Sequence, residues 1–478
     1  MPLIRNLSLA FAAGALLHLS VALEPVWWAV WLAPLPLLWL AFSNAGWRAR
    51  LWVALAIGAG TSAYLPYFRL VMPLPAVVVM WLGMSLLWWF VTMTTRRIVL
   101  ASRTAWAVFV YPVLWTAVDT LMAALLPDGN WGSLAYSQAD VLPLVQTTSL
   151  FGVAGLLFLL CLPASAIAVL AWWRNARGSR VAVVTVVLAL LLSALGFGEW
   201  RLRQPSPGES VRVGLASIDD AIGVKAAPAY ANSIRDRYDA LVAQLAGAGA
   251  HIVVLPEKIA VLKPEVAAQW QAHFGELAAR HRVWLEVGIG IDDGQHPRNH
   301  AWLFDPAGQR VENYEKHYMA PPERAEAYAS GNGWNLHRID GRNIGLAVCK
   351  DMHFAALGRE YGRRDADVML VPAWDFAYVD GWMASRMTAV RGVENGYGVV
   401  RAAREGLLTV SDAHGRMLAE TASAPMPGNT LLAELPLGQR VPTLYTRIGD
   451  LLGWLCVALG AGLVVSGRRP GARRVEPA

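Results

Sequence analysis

The stretch Asn343–Phe354, NIGLAVCKDMHF, decides how the polar part of this chain is read. Its first seven residues form a short apolar run of the length of a buried strand, closing on the thiol of Cys349, with Lys350 and Asp351 directly behind it. Open α/β sheets commonly build their sites at the C-terminal ends of strands, so a reactive side chain there draws notice. Two places upstream share the pattern: HIVVLP from His251 is followed by Glu257, and NYEKHYMAPPE carries Lys316. An acid, an amine and a thiol form a workable set. A carboxylate can take the proton of a thiol that is mostly protonated at neutral pH, while a cation stabilises the thiolate and then the oxyanion of a tetrahedral intermediate.

The surroundings of this run read as α/β. Strand-like runs begin at Val211 (VRVGLAS), Val283 (VWLEVGIGI), Ala301 (AWLFD), Asp367 (DVMLVP), Tyr397 (YGVVRAA) and Leu407 (LLTVSD). Helical patterns fill Ala229–Ala246, Pro264–Arg280, Phe354–Arg363 and Trp382–Asn395, while DPAG at Asp305 and DAHG at Asp412 read as tight turns. The Pro/Gly/Ser segment RQPSPGES, residues 203–210, is the linker into this region.

The rest of the chain is of another kind. Hydrophobic residues make up 55% of the sequence, too many for a wholly soluble protein. Apolar stretches of roughly 17–25 residues, enough to cross about 30 Å of hydrocarbon, cover residues 5–23, 26–43, 51–68, 74–94, 104–126, 147–172 and 181–198, with an eighth at 450–466. Several of the 22 Trp, such as Trp27, Trp28 and Trp200, flank these runs as interfacial anchors. Two of the three cysteines, Cys161 and Cys456, lie inside them, which argues against a disulfide framework and leaves Cys349 as the thiol of the polar region. Positive charge gathers in alternate loops: Arg5; Arg48 and Arg50; Arg96, Arg97 and Arg103; Arg174, Arg177 and Arg180; Arg468, Arg469, Arg473 and Arg474. Because positive loops stay cytoplasmic, both termini are expected inside and the polar region outside. The net charge of +6 is therefore a topology signal, and nucleic-acid binding is not expected. The expected organisation is a seven-helix membrane region over 1–200, a catalytic domain over 205–445, and a last helix with a basic tail over 446–478. In a bacterium this is a multi-pass inner-membrane protein with its catalytic domain in the periplasm.

Taken together, Glu257, Lys316 and Cys349 with their flanks resemble the nitrilase superfamily, and GLAVCKDMHF is similar to its Cys-aromatic-acid-x-x-Phe element. DADVMLVPAW and RMTAVRGVENGYGVVRAAREGLLTVSDAHG resemble the strand, helix and hairpin that follow the nucleophile in that family. The resemblance implies an αββα sandwich in which Glu257 is the general base, Lys316 the oxyanion stabiliser and Cys349 the nucleophile, the backbone N–H of Lys350 completing the oxyanion hole. WGSLAYSQADVLPLVQTTSLFGVAGLLFL, residues 131–159, is similar to the apolipoprotein N-acyltransferase branch, an eight-span membrane bundle carrying such a domain. That branch implies ping-pong transfer of an acyl chain from a phospholipid, through a Cys thioester, to the α-amine of a diacylglyceryl-cysteine lipoprotein or another amine. No cofactor and no metal are expected.

The chain also departs from the branch. Lys350 and Asp351 replace the usual Tyr-Glu; Lys350 is read either as solvent-facing or as binding phosphate or carboxylate, and Asp351 keeps the acidic function. Glu323 in MAPPE is the nearest match to a second family Glu, with Glu326 as fallback. Trp374 in VPAW either lines the acyl or amine site or packs at the sheet edge. His317 and His353 raise a Cys–His dyad as a weaker option, and Asp119, inside an apolar run, is expected at the interface or facing the bundle. Two other functions stay open: a membrane-tethered amidase passing the acyl-enzyme to water, mildly favoured by Asp351, and a non-catalytic scaffold, disfavoured by retention of all three reactive residues.

Overall fold

The computed structural model describes residues 2–102, 104–173, 177–204, 208–438 and 440–466. Arg103, Arg174, the centre of the linker at 205–207 and the basic tail with Arg468, Arg469, Arg473 and Arg474 lie outside the described residues, as does the side chain of Arg177. The chain forms two compact units, Met1–Trp200 with Ile448–Ala478, and Arg201–Arg447.

Among the described residues of the first unit six helices have the length and apolarity to cross a membrane: Leu3–Val21, Gly46–Val71, Leu74–Ser102, Ala105–Leu125, Thr148–Trp172 and Ser179–Leu202. Shorter apolar helices at Trp27–Ser43 and Leu451–Ser466 match the other two runs of the sequence. The first of these is two helices, Trp27–Leu32 and Pro34–Ser43, because Pro34 lacks the N–H that would continue the ladder. Leu74–Ser102 outruns the apolar stretch at 74–94, and its Arg96 reaches the carbonyls of Ala41 (2.6 Å) and Asn44 (2.9 Å). Small residues let helices approach: a Cβ on Gly453 would lie 2.4 Å from Thr120 Oγ1 on the Ala105–Leu125 helix. Asp119, on that same helix, faces the bundle, where Asn130 donates to its Oδ2 at 2.8 Å and Tyr136 donates to Asn130 at 3.3 Å. The Phe151–Gly152 pair marks a kink: Gly152 has φ +63 within Thr148–Trp172, a conformation that disfavours side chains with a Cβ.

The second unit is built on thirteen strands: β1 (Gly208–Ser217), β2 (Ile252–Val254), β3 (Ala260–Leu262), β4 (Trp284–Ile291), β5 (Arg298–Phe304), β6 (Arg310–Glu315), β7 (Leu336–Ile339), β8 (Arg342–Leu346), β9 (Val368–Trp374), β10 (Gly398–Arg404), β11 (Leu407–Ser411), β12 (Met417–Ala422) and β13 (Asn429–Gly438). One sheet runs β13-β1-β2-β4-β5-β6 with β3 beside β4, and the other runs β12-β11-β10-β9-β8-β7. Strands β1-β2-β4 and β8-β9-β10 are parallel, the outer pairs antiparallel.

Alternation of side chains produces the layers. On β9, Val368 and Leu370 join Val213, Leu215, Val254 and Leu303 of the other sheet in the inter-sheet core, while Met369 and Val371 face outward onto Leu357 and Tyr361 of the Ala355–Arg363 helix. On the far side, Val253, Leu285 and Val287 pack against Tyr238, Leu241, Trp270 and Phe274 of the helices Pro228–Gly247 and Pro264–His281. The result is the αββα sandwich expected from the sequence. The sequence reading passed over β3, β6, β7, β12 and β13, which are very short, polar or at sheet margins; they are held by backbone pairing with a neighbour more than by their own apolarity.

Candidate active site

Glu257 is placed by a loop lying across β4. Leu255 N–H bonds to Glu286 O at 2.9 Å, Ile259 N–H to Gly288 O at 3.0 Å, and Glu257 N–H to Ala373 O of the other sheet at 3.2 Å. This approach needs Gly288, because a Cβ there would lie 2.3 Å from Pro256 O. Lys316 directly follows β6 and is held by its N–H on Asn299 O at 2.9 Å and its carbonyl on Gly331 N–H at 2.8 Å.

Cys349 does not close a strand as the run NIGLAVC implies: β8 ends at Leu346, and Cys349 opens a single turn of 3₁₀ helix, Cys349–His353, with φ +46. Asp351 is the cause. Its carboxylate accepts from Val348 N–H (3.0 Å), His317 N–H (3.0 Å), Tyr318 N–H (2.8 Å) and the Tyr314 hydroxyl (2.8 Å). It thus draws Val348 out of the ladder and ties the turn that opens at Cys349 to the segment bearing Lys316. A strained backbone fixed from several sides is a common way to present a nucleophile.

The three predicted residues meet in a buried cluster of charge. Lys316 Nζ lies 2.7 Å from Glu257 Oε1 and 2.7 Å from Glu323 Oε2. Lys258 Nζ lies 2.9 Å from Glu323 Oε1, and Asn299 Nδ2 donates to both acids, at 2.6 Å to Glu257 and 2.7 Å to Glu323. Glu323 is therefore in the cluster, whereas Glu326 is exposed. Burial disfavours the Glu323 carboxylate, yet Lys316 and Lys258 outweigh it and hold its pKa well below the carboxylate range. Burial likewise works against the Lys316 ammonium, but Glu257 and Glu323 keep it charged, its pKa raised well above that of a free lysine. The Cys349 thiol is pushed far up by burial and by Glu257, with Lys316 opposing, so it rests protonated and donates to Trp374 O at 3.5 Å. Among the described residues Glu257 Oε1 is engaged by Lys316 and Asn299 while Oε2 has no hydrogen bond. A carboxylate with one free oxygen, a fixed ammonium and a protonated thiol can carry out acyl transfer through sulfur.

The remaining expectations resolve as follows. Lys350 is buried, not in solvent, with Nζ 3.2 Å from Met319 O, so it braces the loop between Lys316 and Glu323. Trp374 presents its carbonyl to the thiol and its ring to Lys258 and Arg404, 5.3 and 3.7 Å from the centroid. His317 is 2.7 Å from Gly333 O, and the ring of His353 is hydrogen-bonded to nothing among the described residues, so no Cys–His pair forms there. Arg391 and Glu394 make a buried ion pair of 2.6 Å on the Gly381–Asn395 helix. Sequence reasoning missed Lys258, Asn299 and Tyr314. Asn299 is the most legible of these in hindsight, a polar residue opening the buried run of β5. No group of three or more metal-ligating side chains occurs among the described residues.

A family model for the apolipoprotein N-acyltransferase N-terminal domain matches residues 13–166, and a carbon-nitrogen hydrolase model matches 225–451. The apolipoprotein N-acyltransferase of Geobacter metallireducens is 27% identical over 391 residues, 74% of this chain and 73% of that protein. That of Gloeobacter violaceus is 27% identical over 523 residues, 97% and 94% of the two chains. An amidase from Nesterenkonia sp. AN1 is a solved structure with TM-score 0.43 and 21% identity, covering 49% of this chain and 94% of its own. With the two family models side by side along one polypeptide and relatives spanning most of its length, the chain is similar to the apolipoprotein N-acyltransferases in both its membrane region and its carbon-nitrogen hydrolase region.

Proposed function

We propose that this protein transfers an acyl chain from a membrane phospholipid, through a thioester on Cys349, to the α-amine of a diacylglyceryl-cysteine lipoprotein. The observation that carries the reading is the buried Glu257–Lys316–Glu323 cluster beside a protonated Cys349 in a chain that also has membrane-spanning helices. Both substrates are anchored in lipid, and tethering the catalytic domain to the bilayer raises their effective concentration.

In the first half-reaction Glu257 takes the Cys349 proton and sulfur attacks the ester carbonyl of the donor. The Lys316 ammonium and the Lys350 N–H receive the oxyanion. Collapse breaks the C–O bond, the proton on Glu257 passes to the departing alkoxide, and lysophospholipid leaves a thioester. In the second half-reaction the acceptor amine attacks the thioester and gives its proton to Glu257; the C–S bond breaks, and the thiolate is reprotonated. Glu323 and Lys258 hold Lys316 in place, and Asp351 keeps Cys349 in register with it.

The alternation of Arg-rich loops supports an inner-membrane protein with both termini cytoplasmic and residues 205–445 in the periplasm. Hydrolysis by a tethered amidase loses its sequence support, because Asp351 is committed to four structural hydrogen bonds. The deciding measurement is the intact mass of the purified protein after incubation with phospholipid. A hydroxylamine-sensitive adduct of acyl mass on wild type and none on Cys349→Ala is the expected result, and no adduct despite bound lipid would sink the reading.

A further inference from the structure

Arg404 is a charge that the proposed chemistry leaves unused. It ends β10 directly opposite Trp374 in the parallel β9–β10 register. Val400, Ala402 and Ala403, four, two and one residues before it, lie in the inter-sheet core; burial disfavours the charge of Arg404, and Glu257 is the first carboxylate to oppose that. Arg404 is 4% exposed, and its guanidinium carbon lies 3.7 Å from the centroid of the Trp374 ring. Among the described residues its guanidinium has no hydrogen-bond or ion-pair partner, and Nε is closed off from solvent. Trp374 Nε1 is likewise buried and unpartnered.

Nearby carboxylates do not answer it. Glu257 Oε1 is taken by Lys316 and Asn299, and Glu323 by Lys316 and Lys258. Asp219 accepts from Glu405 N–H and the Tyr378 hydroxyl, and Asp375 is paired with Arg401. Beside the thiol, the carboxylates Glu257 and Glu323 therefore face three cations, Lys316, Lys258 and Arg404. A buried guanidinium forfeits the hydration of a full charge, and stacking on indole offsets only part of that loss. Two unpartnered donors stacked together, on the residue whose carbonyl accepts from the thiol, call for an anion.

We infer that Arg404 and Trp374 Nε1 form a subsite beside Cys349 that receives the phosphodiester of the acyl donor. The inference rests on the phospholipid-donor reading. In a glycerophospholipid the ester that sulfur attacks and the phosphodiester share one glycerol, so a subsite adjoining the thiol is within the reach of that group. The planar guanidinium fork suits two phosphate oxygens, and the indole N–H supplies a further donor.

Binding is measured on full-length Cys349→Ala in detergent, which cannot turn over, with a short-chain soluble phosphatidylglycerol, the matching diacylglycerol and inorganic phosphate as probes. Arg404→Met is expected to weaken the phospholipid roughly ten- to a hundredfold, as befits loss of a charge-assisted bidentate contact, and to leave the diacylglycerol unchanged. Arg404→Lys should restore part of the affinity, and Trp374→Phe, which keeps the ring but loses the N–H, should weaken it less than Arg404→Met. Equal weakening of both lipids, or of neither, overturns the subsite. Inorganic phosphate binding as tightly as the phospholipid, and as dependently on Arg404, would make free phosphate the ligand and overturn the donor assignment. Acylation of wild-type protein by phospholipid is read separately. If that fails while Arg404-dependent phospholipid binding holds, the donor chemistry falls and the subsite stands.

Discussion

Replacing Glu286 by methionine should stabilise the second unit by an amount that grows with pH. Glu286 sits in β4 between Val254 of β2 and Leu303 of β5, both in the inter-sheet core. It is fully buried, and neither carboxyl oxygen has a hydrogen-bond partner among the described residues. Burial raises its pKa well above the ordinary 4.5, so the folded protein keeps the acid protonated while the unfolded chain ionises it. Above about 4.5 the folded state therefore binds more protons than the unfolded one, and stability falls by about 1.4 kcal/mol per pH unit until the folded pKa is reached. That loss, about 1.4 kcal/mol for each pH unit between the unfolded and the folded pKa, is one that methionine, similar in length and without a proton to bind, does not suffer. For a unit of this size each kcal/mol moves the midpoint by about 2–4 °C, so from pH 5 towards pH 7 the gap between Glu286→Met and wild type should widen by about 3–6 °C for each pH unit below the folded pKa. The assay is thermal unfolding of the full-length protein in detergent, followed by the fluorescence of buried Trp270 and Trp302 at the two pH values. A gap that stays the same at pH 5 and pH 7 would refute the buried neutral acid.

Cys349→Ala should fold and lose all acyl-enzyme, and Glu257→Gln should acylate about 10²–10⁴-fold more slowly in single-turnover mass measurements, as removal of a general base requires. Normal acylation of Glu257→Gln would remove Glu257 as the base. Asp351→Asn retains an acceptor oxygen but gives up the charge that draws in four donors, so acylation is expected to slow by roughly tenfold or more at little change in donor KM; a change in KM alone would contradict a positioning role. Glu323→Gln should destabilise the unit by about 3–5 kcal/mol, because it leaves Lys258 and Lys316 short of a buried countercharge. Glu326→Gln should stay within about 0.5 kcal/mol in the same unfolding assay, and comparable losses for the two variants would contradict the assignment of Glu323.

Much of this architecture was legible in local pattern. Apolar length located all eight helical runs, since crossing about 30 Å of hydrocarbon sets a length that composition alone reveals. Buried strands such as VWLEVGIGI and DVMLVP announced themselves because central strands of a sandwich are covered on both faces. The marginal strands were silent for the converse reason: LHRI and MLAETA are short edge strands of polar or mixed composition, held by hairpin pairing with the adjoining β8 and β11. Glu257 and Cys349 could be named because each stands at or just beyond a strand-like run, and Lys316 because its flanks resemble the family motif. What the sequence by itself determined was the split into an apolar helical part and a polar α/β part, carried by periodicity and composition, while the sandwich and the roles proposed for Glu257, Lys316 and Cys349 came from the resemblance of short motifs. Only the tertiary structure decided which acid faces Lys316 across seven residues, that Lys258 and Asn299 complete the charge balance, that Asp351 bends the chain at Cys349, and that Arg404 lies unpaired on Trp374. Those are contacts between side chains brought in from different strands and loops, and their energies depend on distance and burial, quantities that do not exist until the sheets have packed.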